Sequence, residues 1–203
     1  MTTEARGATL TTELSPELSR GIDQVASLLA GRTFAVLTGA GVSTDSGIPD
    51  YRGEGAPKRS PMTFQQFLAD DRYRKRYWAG SHLGYRRFAA AHPNAGHRAL
   101  AALEASGAAN GVITQNVDGL HKQAGSRRVV DLHGSMDRVV CLVCGQIFAR
   151  EAITARIDSA NPWLDAEGAV EIAPDGDAIV TDVDAFLVPD CTVCGGHLKP
   201  DVV

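Results

Sequence analysis

The 203-residue sequence contains no apolar run of the roughly 18 residues that a membrane-spanning helix needs. It also lacks an excess of positive charge: 20 Lys and Arg face 24 Asp and Glu, a net charge of −4. A nucleic-acid binder held by a broad basic face is therefore not expected. The N-terminal stretch MTTEARGATLTTELSPEL has no apolar centre of a secretory signal, and it carries acids that a transit peptide avoids. A cytoplasmic protein without membrane or nucleic-acid partners is the default expectation.

Cysteine is scarce and never single. All four cysteines fall in two CxxC pairs, Cys141/Cys144 and Cys191/Cys194. In a reducing compartment such pairs are more often metal ligands than disulfides. Four thiolates around Zn²⁺ make a closed tetrahedral site with no position for water, which is structural rather than catalytic zinc. Two redox-labile disulfides are the alternative. The 46 residues between the knuckles exceed the usual ribbon spacing of about 15–20. Residues 151 to 190 carry ten acidic side chains and one basic one, Arg156, and read as an acidic excursion from a small module.

The rest of the chain alternates strand and helix. Residues 1–16 read as a loose tail, ending where Ser15 caps a helix with Pro16 at its first position. Leu18, Ile22, Val25, Leu28 and Leu29 recur at helical spacing up to Gly31. Thr33 to Leu37 reads as a buried strand, and Gly111 to Thr114 and Val129 to Leu132 as two more. Helical pattern runs from Phe64 to Phe88 and resumes after Pro93-Asn94-Ala95-Gly96. Its Arg72, Arg74, Lys75 and Arg76 read as a solvated face, with Tyr73 and Tyr77 turned to the core. This order predicts an α/β fold: a Rossmann-like parallel sheet over residues 17–140, with a helical insertion at about 53–92. A small zinc-ribbon module follows at 141–199, and residues 200–203 start a return to the large domain.

Ligands of parallel sheets sit beyond the carboxyl ends of the strands. Three polar clusters lie at such ends: Gly39-Ala40-Gly41, Gln115-Asn116-Val117-Asp118 and His133-Gly134-Ser135. Glycine at 39 and 41 lets backbone N–H groups approach a pyrophosphate. The turn is neither the GxGxxG dehydrogenase fingerprint, since position 44 is Thr44, nor a P-loop. A tight strand-to-helix turn is the plainer reading of GxG alone. Asn116 and Asp118 could equally be helix caps, and a lone histidine is more often structural than catalytic.

The strings GAGVSTDSGIPDYRG, TQNVDGLH and LHGS, followed by the paired CxxC motifs, resemble the sirtuin family of NAD-dependent protein deacylases. Tyr51, the Arg76-Tyr77-Trp78 run and Ala173-Pro174-Asp175-Gly176-Asp177 resemble its class II branch, which has lipoamidase and ADP-ribosyltransferase members. The resemblance implies that Gly39, Ala40 and Gly41 cradle the NAD pyrophosphate with Ser43 nearby. Ile48, Asp50, Tyr51 and Arg52 would belong to a loop that closes over the nicotinamide ribose. In that loop Ile48 borders the nicotinamide, Tyr51 shields the ribosyl centre and Arg52 contacts phosphate. Gln115 and Asn116 follow at the second strand end, where Asn116 would order the ribose and a water. Asp118 would hold the nicotinamide carboxamide, and His133 would be the general base. His82, His92, His97, His121 and His197 receive surface or helix-packing roles.

The implied reaction is removal of an acyl group from protein lysine, releasing nicotinamide and O-acyl-ADP-ribose, with NAD and Zn²⁺ as cofactors and acyl-lysine proteins as partners. Mono-ADP-ribosyl transfer to protein and a non-catalytic zinc-ribbon fragment are the rivals. Family members continue past Lys199-Pro200-Asp201-Val202-Val203 into the second half of the sheet, so the expectation is a C-terminally truncated, poorly soluble or inactive polypeptide.

Overall fold

The computed structural model describes residues 14–50, 62–164 and 183–203. The expectations for Tyr51, Arg52, Ala173–Asp177 and the first thirteen residues fall outside them. Among the described residues no helix is long and apolar enough to cross a membrane.

Helix α1 (Pro16–Leu29) begins as its sequence demands, with the Ser15 hydroxyl accepting from Leu18 N–H at 3.2 Å and Pro16 in the first turn. Its apolar stripe does not find a partner among the described residues. Leu18, Ile22, Val25 and Leu28 are 53%, 48%, 55% and 67% exposed, and no α1 residue is buried. The 3.6-residue period identified the helix correctly but carries no information on what covers it.

Strands β1 (Phe34–Thr38), β2 (Ala109–Thr114) and β3 (Val129–Asp131) form a parallel sheet in the order β1-β2-β3. Thr38 pairs with Thr114, and Thr114 with Asp131, so all three strands end on one rim. The expectation that Thr33–Leu37 is buried needs correction. Alternate residues of β1 point outward, and Leu37 is 65% exposed, while Thr38 is turned in. A parallel sheet is normally covered on both faces; here Leu37, Val130 and Leu132 share the exposure of α1.

The helical insertion comprises α2 (Phe64–Ala69) and α3 (Asp71–Ala90), separated at Asp70, whose carboxylate caps α3 by accepting from Arg72 N–H at 2.8 Å. Trp78, Ser81, His82, Tyr85 and Phe88, spaced by three and four residues, form the buried face of α3. Tyr77 packs edge-on against Phe67, with ring centres 5.3 Å apart. Tyr73, expected in the core, is 39% exposed because it lies off that face. Arg74 also departs from the solvated reading: it is mostly covered and donates to the carbonyls of Phe67 and Leu68 at the end of α2. Two short helices complete this part, α4 (Ala95–Ala105) and α5 (Leu120–Gln123).

A second, antiparallel sheet holds β4 (Gly134–Cys141), β5 (Ile147–Ala149) and β6 (Leu198–Val202) in the order β5-β4-β6, with α6 (Arg150–Ala160) against it. Here lies the larger core: Trp78, Phe67, Val139, Ile153, Ile157, Phe186 and Leu198. Arg150, fully buried, reaches from α6 into α3. Its guanidinium lies 5.2 Å from the Trp78 ring centre and 4.6 Å from that of Tyr85, and it donates to the Ser81 carbonyl and hydroxyl. A smaller cluster of Ile48, Tyr85, Phe88, Ala91, Leu120 and Met136 packs where the two halves meet.

Candidate active site and metal centre

The three polar clusters meet at the rim. Gln115 N–H donates to the Thr38 carbonyl at 3.0 Å, and Leu132 N–H to the Thr114 carbonyl at 2.9 Å. His133 follows, with Nδ1 3.0 Å from the Gln115 carbonyl oxygen. A carbonyl only accepts, so Nδ1 carries the proton and Nε2 keeps the lone pair. The ring is exposed.

Gly39 and Gly41 do not need glycine for their backbone: Gly39 is extended at φ −139°, and Gly41 is not among the positive-φ glycines. Nor does packing demand it. A Cβ on Gly41 would meet nothing within 4 Å, and one on Gly39 only the Gln115 side chain at 3.8 Å. The chain itself therefore gives no reason for two glycines, and a ligand held close to the backbone does. The segment after the turn, Ala40–Ser46, is a 3-10 helix of seven residues.

Behind the turn, Ser43 is the hub. It has no exposed surface, and its hydroxyl donates to Asp118 Oδ2 at 2.7 Å while accepting from Asn116 Nδ2 at 3.1 Å. Asn116 Nδ2 also donates to the Gly39 carbonyl at 3.1 Å, leaving Oδ1 as its outward-acting atom. Asp118 Oδ1 accepts from Leu120 N–H at 2.9 Å, although the N-cap of α5 is Gly119 rather than Asp118 or Asn116. Asn116 and Asp118 are half-buried, as is Asp50, whereas Ile48 is buried in the smaller core.

Two residues of this network received no site role from the sequence. Asn94 caps α4 and donates to the Val42 carbonyl and Ser46 hydroxyl at 2.7 and 3.1 Å, tying α4 to the glycine turn. His97 Nδ1 accepts from Asn94 N–H at 3.3 Å, which places its proton on Nε2, 3.5 Å from Ser43 Oγ. The signal was present as a capping box, Asn94 with a residue three positions on that reaches back. His82, His97 and His121 are buried and each bonds a polar partner, His97 and His121 beside the rim rather than in mere helix packing, and burial lowers the pKa of each from 6.5. An unfolded chain thus binds more protons as the pH falls below that value. Their neutral burial supports stability fully above pH 6.5 and loses it as the pH descends towards the depressed folded values. The melting temperature is expected to be level between about pH 7 and 8 and to fall from about pH 6.5 to 5; a level curve throughout would contradict these buried states.

The cysteines form two like knuckles. Gly145 N–H bonds the Cys141 carbonyl and Gly195 N–H the Cys191 carbonyl, at 3.0 and 2.9 Å, with both glycines left-handed at φ 73° and 71°. All four sulfurs lie within 4.8 Å of one another, with Cys141–Cys194 at 3.5 Å and Cys144–Cys191 at 3.8 Å, and none is in a disulfide. A tetrahedral zinc with bonds of about 2.3 Å requires sulfurs about 3.8 Å apart, so the donor set fits. The Cys144 N–H, foremost, draws the Cys141 thiol down to about 6. Gly196 N–H also lowers Cys194, but the neighbouring thiols, Cys144 first, push it up to about 12. Four thiols so close oppose one another's ionisation, and a central cation removes that opposition.

A mixed α/β fold whose parallel sheet adjoins a four-cysteine centre is that of the sirtuins. The chain aligns with the solved structure "Sir2-p53 peptide-NAD+" at a TM-score of 0.59 and 31% identity, over 90% of this chain and 63% of that one. The chain belongs to the Sir2 family, whose sequence model matches residues 39–203. It is 53% identical over 184 residues to NAD-dependent protein deacetylase 1 of Mycobacterium avium (strain 104), covering 89% of this chain and 65% of that protein. It is 54% identical over 197 residues to NAD-dependent protein deacetylase 1 of Streptomyces coelicolor, covering 95% of this chain and 63% of that protein. The chain thus spans less than two thirds of the length of these relatives.

Proposed function

We propose that the chain carries the site of an NAD-dependent protein deacetylase acting on acetylated lysine in protein substrates. The observation that carries this reading is the His133 imidazole on the rim, its Nδ1–H held by Gln115 so that Nε2 is the basic nitrogen. The names of the two relatives support it. Bound NAD would supply an activated ribosyl carbon and nicotinamide as leaving group. The Gly39-Ala40-Gly41 backbone offers close approach to its pyrophosphate, and the Ser43 hydroxyl fixes the partners around it. Asn116 Oδ1 would accept from a ribose hydroxyl, and the Asp118 carboxylate, held by Ser43 and Leu120 N–H, would accept from the carboxamide. Ile48 supplies an apolar wall that keeps water off. His133 Nε2 would be placed to take a proton from a ribose hydroxyl. The shielding role of Tyr51 and the phosphate contact of Arg52 rest on the motif.

On this reading residues 17–140 bind the nucleotide and 141–199 are a zinc module, in a cytoplasmic protein whose reducing surroundings keep four thiols available to the metal. Membership of the class II branch, and the wider deacylase range it would imply, rest on the resemblance carried by Tyr51, the Arg76-Tyr77-Trp78 run and Ala173-Pro174-Asp175-Gly176-Asp177. Incubation with NAD and an acetyl-lysine peptide is expected to release nicotinamide. His133→Ala is expected to lower that rate by about 10²–10⁴-fold with metal content and melting unchanged. Equal turnover by the variant would remove His133 from the mechanism.

A further inference from the structure

One histidine beside the rim has no task in the proposed reaction. His121, on α5, is 2% exposed, and its Nε2 lies 2.9 Å from Thr38 Oγ1. Thr38 Oγ1 in turn donates to Thr114 Oγ1 across 2.9 Å. Thr38 is the last residue of β1 and Thr114 the last of β2, and the two are paired in the sheet. Two of the three polar clusters assigned to the reaction begin directly after this pair. Gly39 follows Thr38, and Gln115 and Asn116 follow Thr114. Asn116 N–H donates to Thr114 Oγ1 at 3.0 Å. The Thr114 carbonyl holds Leu132 N–H, next to His133, at 2.9 Å.

Hydrogen-bond directions decide the tautomer. The single hydroxyl proton of Thr38 goes to Thr114, so His121 Nε2 must be the donor to Thr38. The opposite tautomer would put a proton on Nδ1, which is buried with no partner among the described residues. An orphaned buried N–H is rarer and less tolerable than an idle lone pair. The neighbouring His97 ring, with its centre 4.8 Å away, provides packing, while its own nitrogens face Asn94 and Ser43.

We propose that His121 is a positioning residue: its Nε2–H holds the Thr38 hydroxyl on Thr114, clamping the ends of β1 and β2 so that the glycine turn and the Gln115–Asn116 loop keep one spacing. The purpose of the clamp rests on the function proposed above; the clamp itself concerns only two strand ends and one imidazole.

Three variants separate clamping from mere filling of space. His121→Leu fills the volume without a donor, His121→Gln places an amide N–H₂ where Nε2 was, and Thr38→Val deletes the hydroxyl. In the unaltered chain, ¹⁵N spectra of the ring are expected to show the proton on Nε2. His121→Leu and Thr38→Val are expected to speed hydrogen exchange at Gln115 and Leu132 N–H about tenfold, and to weaken NAD binding by calorimetry about tenfold. Val112 N–H, deep in β2, and the metal content should not change. His121→Gln should restore both readouts to within about twofold. A proton on Nδ1, or protection by Leu equal to that by Gln, overturns the proposal. Should His121→Leu fail to fold, Thr38→Val decides alone, with unaltered exchange as the overturning result. Should the unaltered chain bind no NAD, the functional reading falls, while the tautomer and exchange measurements still decide the clamp.

Discussion

Removing the metal from the four-cysteine centre, by a strong chelator or by Cys144→Ser, is expected to abolish the cooperative folding of the antiparallel half. One zinc per chain should be found by metal analysis beforehand. Structural zinc contributes about 10–16 kcal/mol in small modules, as much as the whole stability of about 5–15 kcal/mol that a domain commands. The coupling here is direct. Cys141 and Cys191 are members of the same core as Trp78, Ile153, Ile157, Phe186 and Leu198. Trp78 is fully buried and donates its indole N–H to the Leu198 carbonyl at 2.9 Å. Loss of the knuckles therefore frees β6 from β4 and opens the tryptophan to water. A red-shifted Trp emission and the disappearance of the thermal transition are the expected readouts. A chelated chain that melts as before would show that the thiols hold no structural ion.

Gly134→Ala is expected to be nearly as damaging, about 3–5 kcal/mol by denaturant titration. Gly134 sits at φ 80°, in the left-handed region, and a Cβ there would lie 1.9 Å from the Asp201 carbonyl oxygen and 2.8 Å from its carbon. Both contacts are backbone, so no side chain can swing aside. The end of β6 must leave β4, breaking the pairing of Gly134 with Val202. The bond from Val203 N–H to the His133 carbonyl, 3.0 Å, is lost with it. The proposed base is thereby unseated without being touched. Near-native stability with intact nicotinamide release would show that the β4–β6 junction is looser than these distances say.

What the sequence disclosed about this molecule depended on range. CxxC knuckles, the Ser15-Pro16 helix start and the Asp118 turn into α5 each act within a few residues, and their geometry follows from local chemistry. The parallel order of β1, β2 and β3 followed from the alternation of strand and helix, which leaves few topologies. Cover is another matter. Periodicity marks which residues of α1 share a face, but the exposure of Leu18 and Leu28 depends on what lies opposite. Tyr73 was misplaced for a related reason: four-residue spacing from Tyr77 fits several faces of α3, and only the position of Trp78 against Leu198 decides among them. The roles of His97 and His121 stayed hidden because their partners, Ser43 and Thr38, are 54 and 83 residues away in the chain.

Strand β4 begins beside His133 and ends at Cys141. One strand, irregularly paired with β6 between Ser135 and Val139, thus ties the four-cysteine centre at one end to the rim with the proposed base at the other. Thermodynamic linkage between two sites so joined is reciprocal: if dinucleotide occupancy tightens zinc binding by some factor, zinc must tighten dinucleotide binding by that same factor.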